Sequence, residues 1–271
     1  CNYTCRHCFI SCSPHNREFG FLALDDVRHS LRESVALGVK EYYFTGGEPF
    51  LNPDMTAILE LTLEYGPASV LTNASVLKDD WLRRLRDADE RSPFSLEWRV
   101  SLDGFTPESN DPIRGDGTFA RTMAGVKKLV AFDFLPIVTV ARMDDGDDGA
   151  IVAGFTAALR DIGYARPRLK VLPALRLGAE VERAGGYALD ELVTREMMID
   201  FDAGQLLCSH ARLVSDRGVH VCPILLDAPD GLLGKSLAES LKPYSLRHHA
   251  CWTCYQYGSI CANPSAGAPD G

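Results

Sequence analysis

Three cysteines lie within the first eight residues of the chain, at Cys1, Cys5 and Cys8. Their spacing, C-x3-C-x2-C, puts three thiolates on one short loop, and thiolates are the usual ligands of iron–sulfur clusters. A four-iron cube takes four ligands, so three cysteines leave one iron open to a substrate or a second cofactor. The loop therefore predicts a reactive cluster rather than a plain electron-transfer centre.

Two other arrangements fit the same loop. Cys12 follows Cys8 by four positions, which approaches the ferredoxin pattern C-x2-C-x2-C-x3-C-P, although the first gap is one residue longer. Four cysteines would then close the cluster. A zinc knuckle is the second alternative, but it prefers paired C-x2-C units. The loop alone leaves these alternatives open, and context has to come from elsewhere in the chain.

A glycine turn farther along the chain supplies that context. The sequence Thr-Gly-Gly-Glu-Pro at positions 45–49 follows a short apolar run at positions 42–44. Glycines at the end of a strand let a ligand approach the backbone closely. The carboxylate of Glu48 suits a ligand that carries an ammonium group, although such a turn alone is also an ordinary strand-to-helix connection.

Together, the cysteine loop and the turn resemble the radical S-adenosylmethionine (SAM) superfamily. The resemblance implies that a [4Fe-4S] cluster chelates SAM at its open iron, and that Gly46, Gly47, Glu48 and Pro49 hold the SAM amino group. It further implies that one electron splits SAM into methionine and a 5′-deoxyadenosyl radical, which abstracts a substrate hydrogen. A low-potential flavodoxin or ferredoxin is implied as the electron donor.

The same resemblance implies further contacts with SAM. Asn73, Ser101 and Asp103 match family positions at strand ends that contact the methionine or ribose groups, with ordinary turn chemistry as the alternative. The residue before the third loop cysteine is usually aromatic in this family, with its backbone near the adenine. Here it is His7, a planar ring that can substitute, and Phe9 lies on the other side of Cys8.

Two later segments also match the family. Leu172 resembles the end of the sixth family strand, where backbone groups flank the adenine. The residues that follow, Pro173 and Gly178, are also typical of ordinary loops and turns. The segment 114–119 resembles the family at the start of a helix, and we interpret it as a structural cap.

Composition restricts the class of protein. The chain has 271 residues, 46% of them hydrophobic, which suffices for one large core. We find no run of eighteen apolar residues and no signal peptide, so we expect a cytoplasmic protein without a membrane span. A net charge of −9 argues against a nucleic-acid partner. Nine cysteines with clustered spacings favour metal binding in a reducing compartment over disulfides.

The chain around these motifs alternates between short apolar runs and helical periodicity, which predicts parallel strands joined by crossover helices. In the resembled family a further strand leads into the cysteine loop, and we expect it upstream of residue 1. Counting it gives a partial (βα)6 barrel of the TIM type, with its site at the carboxyl ends of the strands. The predicted strands are 41–44, 69–72, 97–102, 136–141 and 169–172, and the predicted helices lie near 25–37, 54–64, 79–88, 118–132 and 151–161.

Five further cysteines follow in the last quarter of the chain. A hairpin predicted around the turn 215–218 brings Cys208 and Cys222 together. With Cys251 and Cys254 they supply four thiolates to one metal centre, for which zinc is an alternative occupant. The pattern resembles the SPASM extension of radical SAM enzymes and its shorter form, twitch, and so implies one auxiliary [4Fe-4S] cluster. Cys261 is a spare thiol or a replacement for one of the four.

These observations predict two domains, a radical SAM partial barrel over residues 1–200 and an auxiliary-cluster domain over residues 201–271. Three functions follow. The first is oxidation of a small metabolite in natural-product biosynthesis, with the auxiliary cluster accepting an electron. The second is modification of a ribosomally made peptide, which a leader-binding segment before residue 1 would favour. The third is a non-catalytic iron–sulfur or zinc scaffold.

Overall fold

A computed structural model of the protein describes residues 1–143 and 147–258. The first two thirds alternate between strands and helices, and the last third consists of short elements. The strands are β1 (Tyr42–Phe44), β2 (Ala68–Thr72), β3 (Leu96–Ser101), β4 (Ile137–Arg142), β5 (Arg168–Pro173), β6 (Leu213–Ser215), β7 (Gly218–His220) and β8 (Leu232–Gly234). The α-helices are α1 (Leu24–Ala36), α2 (Met55–Thr62), α3 (Asp79–Arg91), α4 (Pro107–Arg114), α5 (Thr118–Ala131), α6 (Asp148–Asp161), α7 (Ala179–Ala184), α8 (Leu207–His210) and α9 (Ala250–Tyr257).

Strands β1 to β5 form one parallel sheet in sequential order. Each strand is followed by at least one helix, and every predicted strand lies within one residue of its predicted ends. The α/β fold with a parallel sheet is therefore confirmed. The strand expected before residue 1 stays a prediction.

Alternate residues of the strands make the main core. Val70, Trp98, Val100 and Val138 are almost fully excluded from solvent and pack against apolar helix residues. The indole of Trp98 stacks on the ring of Phe50 at 5.4 Å between centroids. The residues between them along each strand point to the opposite side of the sheet, which we call the inner face.

Helix α4 was not predicted. Its sequence has no apolar stripe, and its stability comes from polar contacts at its ends. Thr106 and Ser109 form a capping box at the start, and Asp111 accepts hydrogen bonds from the backbone N–H groups of Gly117 and Phe119 beyond the end. The segment 114–119 therefore leads into α5, and its cap is supplied by Asp111 of the preceding helix, which ends at Arg114.

The last third of the chain contains a three-stranded antiparallel sheet, β6-β7-β8, and a second core. The predicted hairpin is β6 and β7, whereas β8 was missed because three residues carry too little periodicity to identify a strand. Apolar residues of this second core come from the tail and also from the segment after β5, which includes Leu175. The domain boundary at residue 200 stays a prediction.

Several contacts join the tail to the start of the chain. The tip of the β6–β7 hairpin meets the segment after the cysteine loop, where Gly20 N–H donates to Asp216 at 2.8 Å and Arg217 pairs with Glu18 at 3.1 Å. The carboxylate of Glu33 on α1 accepts from backbone N–H groups of the tail at 237 and 238. Within the described residues, no helix has the length and apolarity that crossing a membrane requires.

Candidate functional site

The cysteine loop is held by backbone contacts at both ends. Arg6 N–H donates to the carbonyl of Ile113 on α4 at 2.8 Å, and Cys8 N–H donates to the carbonyl of Cys5 at 3.3 Å. Ala179, the first residue of α7, donates its N–H to the carbonyl of Cys8 at 3.0 Å. The loop is therefore attached to the ends of two helices that lie far apart in the sequence.

Cys8 and Cys12 interact directly. The backbone N–H of Cys12 donates to Sγ of Cys8 at 3.2 Å. A hydrogen bond from the Cys12 thiol, aided by this backbone N–H, lowers the pKa of Cys8 to about 6 in spite of its burial. The same contact raises the pKa of Cys12. The loop thus presents Cys8 as a ready thiolate, with Cys12 as its hydrogen-bond donor.

The glycine turn lies directly against the loop. A Cβ atom on Gly47 would fall 2.6 Å from Cβ of Cys1, so only glycine admits Cys1 at this position. Gly46 has φ +144°, a conformation that favours glycine. Pro49 begins a 3-10 helical turn whose N-cap is Glu48. The structure therefore brings together two motifs that the sequence separates.

Glu48 is a buried carboxylate without a cationic side chain as a partner. It accepts from Thr72 Oγ1 at 2.7 Å, from Asn73 N–H at 2.7 Å and from Phe50 N–H at 3.1 Å. Among the described residues, no Lys, Arg or His side chain forms an ion pair with it. Burial raises the pKa of Glu48, and this effect exceeds the lowering by the three hydrogen bonds. A carboxylate has about four acceptor positions, so one remains for a further donor.

Asp103 has the opposite surroundings. Its carboxylate is fully buried, with Oδ2 2.6 Å from Nε of Arg114 and 2.9 Å from Nε2 of His7, while Oδ1 accepts from Ala141 N–H at 3.0 Å. Burial by itself would raise the pKa of Asp103, but the Arg114 guanidinium and the His7 ring outweigh it and hold the pKa well below its ordinary range.

These contacts place Asp103 and His7 in the protein's own polar network. With 0% of its side chain exposed, Asp103 joins His7 of the loop to Arg114 of α4, and contact of Asp103 or of the His7 backbone with SAM stays a prediction. The His7 ring is directed at Asp103, and its buried Nδ1 has no hydrogen-bond partner. Sequence analysis missed the role of Arg114, because no local pattern marks a charge that is buried only in the folded chain.

Asn73 is also engaged by the protein. Its side-chain N–H donates to Oδ1 of Asn2 at 2.8 Å, and its own Oδ1 accepts from Ser75. Asn2 in turn donates to Ser75 Oγ at 2.9 Å. This amide network ties the cysteine loop to the turn after β2. Ser101 ends β3 half-buried on the inner face. Contact of either residue with SAM stays a prediction.

Phe9 and Leu172 lie between the loop and the tail. Both are half-buried and pack against the second core, which contains Cys222, Cys251 and Cys254. Their predicted positions beside the adenine stay predictions. The structure adds a different role, since these two side chains join the barrel to the tail.

A polar cleft of about 330 Å³ opens beside the loop. Cys5 and Cys12 line one side of it, and Gly178, Ala179 and Glu182 line another. This volume lies at the lower end of the range for small-molecule sites. The loop is therefore accessible from one side to a ligand.

Four tail cysteines meet in a second place. Cys208 on α8, Cys222 after β7, and Cys251 and Cys254 on α9 line one pocket whose other walls are mainly apolar. The last two are three positions apart on a helix, which puts them on one face. The predicted hairpin and C-x2-C pair are therefore close in space, whereas Cys261 lies outside the described residues.

The thiols of Cys208, Cys222 and Cys251 favour the protonated form. Burial, with smaller contributions from the neighbouring Cys208 and Cys251, raises the pKa of Cys222 to about 12. Burial and the nearby Cys208 raise the pKa of Cys251 to about 11. A cysteine thiol loses its proton when it binds a metal, so a metal centre here has to displace the thiol protons. Within the described residues, no three His, Cys, Asp or Glu side chains are close enough to hold a single ion.

Comparison with known proteins places the chain in a family. The family model described as "Radical SAM superfamily" matches residues 1–144, more than half of the chain. The protein belongs to this superfamily, whose members use a [4Fe-4S] cluster and SAM.

Two curated relatives support this membership. AdoMet-dependent heme synthase of Methanosarcina barkeri is 33% identical over 136 residues, which are 49% of this chain and 37% of that protein. Mycofactocin maturase MftC of Mycobacterium ulcerans is 30% identical over 173 residues, which are 62% of this chain and 45% of that protein. The chain thus spans less than half the length of these two enzymes.

One solved structure supports the fold alone. The crystal structure of Streptococcus suis SuiB matches 64% of this chain and 37% of its own, with a TM-score of 0.52 and 17% identity. The parallel α/β sheet is therefore an arrangement that this chain shares with SuiB.

Proposed function

We propose that the protein cleaves SAM reductively at a [4Fe-4S] cluster held by Cys1, Cys5 and Cys8, and oxidises a small metabolite by hydrogen abstraction. The observation that carries this proposal is the direct packing of the cysteine loop on the Gly46-Gly47-Glu48-Pro49 turn. When bound, the cluster and SAM supply a 5′-deoxyadenosyl radical.

Different residues of the chain bind the cluster and SAM. The three loop cysteines hold the cluster, and Cys12 keeps Cys8 in the thiolate form that a metal requires. The turn brings Glu48 beside the loop. Since Glu48 is buried without a cationic side chain and retains an acceptor position, an ammonium group such as that of SAM completes its surroundings.

Asp103 supports the cysteine loop. Its charge is balanced by Arg114, and its second donor is His7, the residue before Cys8. Groups that orient metal ligands in this way affect both metal affinity and reactivity. Asp103 is therefore a positioning residue for the cluster.

The four tail cysteines fit an auxiliary [4Fe-4S] cluster of the SPASM or twitch kind. Their side chains line one apolar pocket. A single zinc ion draws its four ligands to within about 2.3 Å of one point, whereas a cube binds each cysteine at a separate iron. Zinc on the same four thiolates is the alternative occupant. Four cysteines close such a cluster, which suits an electron acceptor.

The experiment that tests the proposal measures iron and sulfide after anaerobic reconstitution. Two four-iron clusters require about eight irons per chain. The variant Cys1→Ala/Cys5→Ala/Cys8→Ala is expected to retain about four irons, all in the tail. A matched variant, Cys208→Ala/Cys222→Ala/Cys251→Ala/Cys254→Ala, is expected to retain a similar number at the loop. Four irons in the wild type, with zinc bound in the tail, would refute the auxiliary cluster.

A second readout on the same samples tests SAM cleavage. Reduced wild-type protein with SAM is expected to produce 5′-deoxyadenosine, and the loop variant to produce none. Glu48→Gln is expected to keep its iron but bind SAM more weakly, because the amide offers no negative charge to an ammonium. Wild-type protein that holds the loop cluster and forms no 5′-deoxyadenosine contradicts the proposal and restores the non-catalytic scaffold.

A second candidate function is maturation of a ribosomally made peptide. The similarity to mycofactocin maturase MftC over 62% of the chain favours it. The heme synthase match favours a small molecule instead. A short precursor peptide encoded beside the gene, modified by the reconstituted protein, would decide for the peptide.

A further inference from the structure

Three neighbouring strands place a row of polar side chains on the inner face of the sheet. Ser101 of β3, Thr139 of β4 and Lys170 of β5 are register partners, each beside the next. Their outward neighbours Val100 and Val138 are fully buried in the main core, whereas the three row residues are half-buried. The row therefore lies on the side of the sheet that the helices leave open.

The row lies just below the cysteine loop. Ser101 is two residues before Asp103, and Thr139 is two residues before Ala141, which donates its backbone N–H to Asp103. Two residues of a strand span about 7 Å. A group bound at the row is thus about 7 Å farther from the cysteine loop, along the strands, than the His7–Asp103 contact.

The inner face around the row is cationic. Besides Lys170, the inner positions of the five strands carry Arg99 and Arg168, and the single acid among them is Glu97. Both arginines pair with that acid, at 3.0 Å and 3.3 Å. The contact from β5 to β3 passes over β4, which shows that these groups share one face. The inner positions of β3 and β5 thus carry three cations and one carboxylate, an excess of positive charge on a chain that is acidic as a whole.

Thr139 supplies an independent indication of a ligand. Its Oγ1 is buried and has no hydrogen-bond partner. Such a group in a native structure needs an explanation, and an absent ligand is one. Two hydroxyls and an ammonium in a row form a donor-rich set, which matches the oxygens of a carboxylate or a phosphate.

We infer that the row Ser101, Thr139 and Lys170 binds an anionic group of the substrate, a carboxylate or a phosphate. The inference rests on the proposed function, because it places a substrate on the inner face below the cysteine loop. Arg99 and Arg168 lie two residues before Ser101 and Lys170 on the same strands, and their charges strengthen the attraction for an anion. Substrates without an anionic group are disfavoured, since they gain nothing from the positive potential of this face.

The test is competitive acetylation of lysines on the reconstituted wild-type protein, followed by peptide mass spectrometry. Sodium phosphate, sodium acetate and sodium chloride are compared at equal ionic strength. We expect phosphate or acetate to lower the acetylation rate of Lys170 about fivefold relative to chloride, because a bound anion holds its ammonium form. Exposed lysines on α5 and in the tail, Lys127 and Lys242, serve as internal controls and are expected not to change.

The two anions separate the two ligand classes. Protection by phosphate alone identifies a phosphorylated substrate, and protection by acetate alone identifies a carboxylate. Thr139→Val removes the hydroxyl at nearly constant volume and is expected to weaken the protection. An unchanged Lys170 rate in both anions overturns the inference.

A further arm with SAM separates this inference from the proposed function. If SAM alone protects Lys170 and abolishes the effect of the anions, the row binds the SAM carboxylate and the inference is wrong. Formation of 5′-deoxyadenosine is measured on the same sample. If SAM is cleaved but the anions do not protect Lys170 from acetylation, the inferred anion site is wrong and the proposed function still stands.

Discussion

At the scale of single residues, the two buried carboxylates near the loop differ in how their charge is balanced. Asp103 has the guanidinium of Arg114 and the ring of His7, so the folded chain stabilises its charge. Glu48 has three neutral donors, and burial raises its pKa. A carboxylate with its own cation supports structure, whereas one that lacks a cation is suited to a charged ligand.

Asp103→Asn is expected to destabilise the protein even without its cofactors. The amide leaves Arg114 buried without a counter-charge, and breaking a buried pair in this way costs about 3–5 kcal/mol. Urea denaturation of the iron-free protein measures the loss. The matched control is Glu60→Gln at the exposed pair with Arg84, which is expected to change stability by less than about 1 kcal/mol. Equal losses of stability at both sites would show that the buried pair contributes no more than the exposed pair.

The same pair predicts a pH dependence. Because the pKa of Asp103 is lowered in the folded state, its stabilisation is complete above the ordinary aspartate pKa of about 4. It is lost as the pH falls through the folded-state value. The stability difference between wild type and Asp103→Asn, measured by urea denaturation at a series of pH values, should therefore shrink in acid.

At the scale of elements, the start of α7 packs against the cysteine loop and holds it in position. Gly178 precedes this helix at φ +55°, and a Cβ there would lie 2.6 Å from the carbonyl oxygens of Cys8 and Phe9. Ala179 donates its N–H to the first of these carbonyls. The loop is thus shaped by a helix that follows it by more than 160 positions in the chain.

Gly178→Ala is expected to displace the loop and lower the iron content of the loop cluster. Gly185→Ala is the matched control, because Gly185 also has positive φ, at +79°, but a Cβ there would meet no atom within 4 Å. Both variants carry the backbone strain of about 1–3 kcal/mol, and only the first adds a clash. Equal iron content in the two variants would show that the close contact does not shape the loop.

At the scale of the whole molecule, the tail and the barrel share apolar contacts. Phe9 follows a cluster cysteine and packs on the second core, beside the tail cysteines. The hairpin tip and Glu33 add polar contacts between the same two parts. We therefore expect the tail to depend on the loop for its stability.

Phe9→Ala tests this dependence. A half-buried ring should contribute about 1–2 kcal/mol, below the loss of about 3–5 for a fully buried phenylalanine. Hydrogen exchange of the iron-free protein is expected to accelerate in α8 and α9 and to stay unchanged in β2 and β3. Phe21→Ala, at a ring that is 61% exposed, is the control and is expected to change little. Unaltered exchange in α9 would show that the tail is stable without this contact.

Residue types and their spacing were enough to identify the class of protein and most of the sheet. The cysteine spacing and the glycine turn identified the superfamily, because cluster and SAM binding demand particular residues at short separations. Short apolar runs located the five strands of the parallel sheet, since strands covered by helices bury apolar side chains.

Which polar groups are in contact follows from the folding of the whole chain. The contact of His7 with Asp103 joins residues about a hundred positions apart, and the row of Ser101, Thr139 and Lys170 depends on strand register. Neither leaves a local pattern, because burial and charge balance are properties of the packed chain. The same reason explains why Phe9 proved to be a contact with the tail.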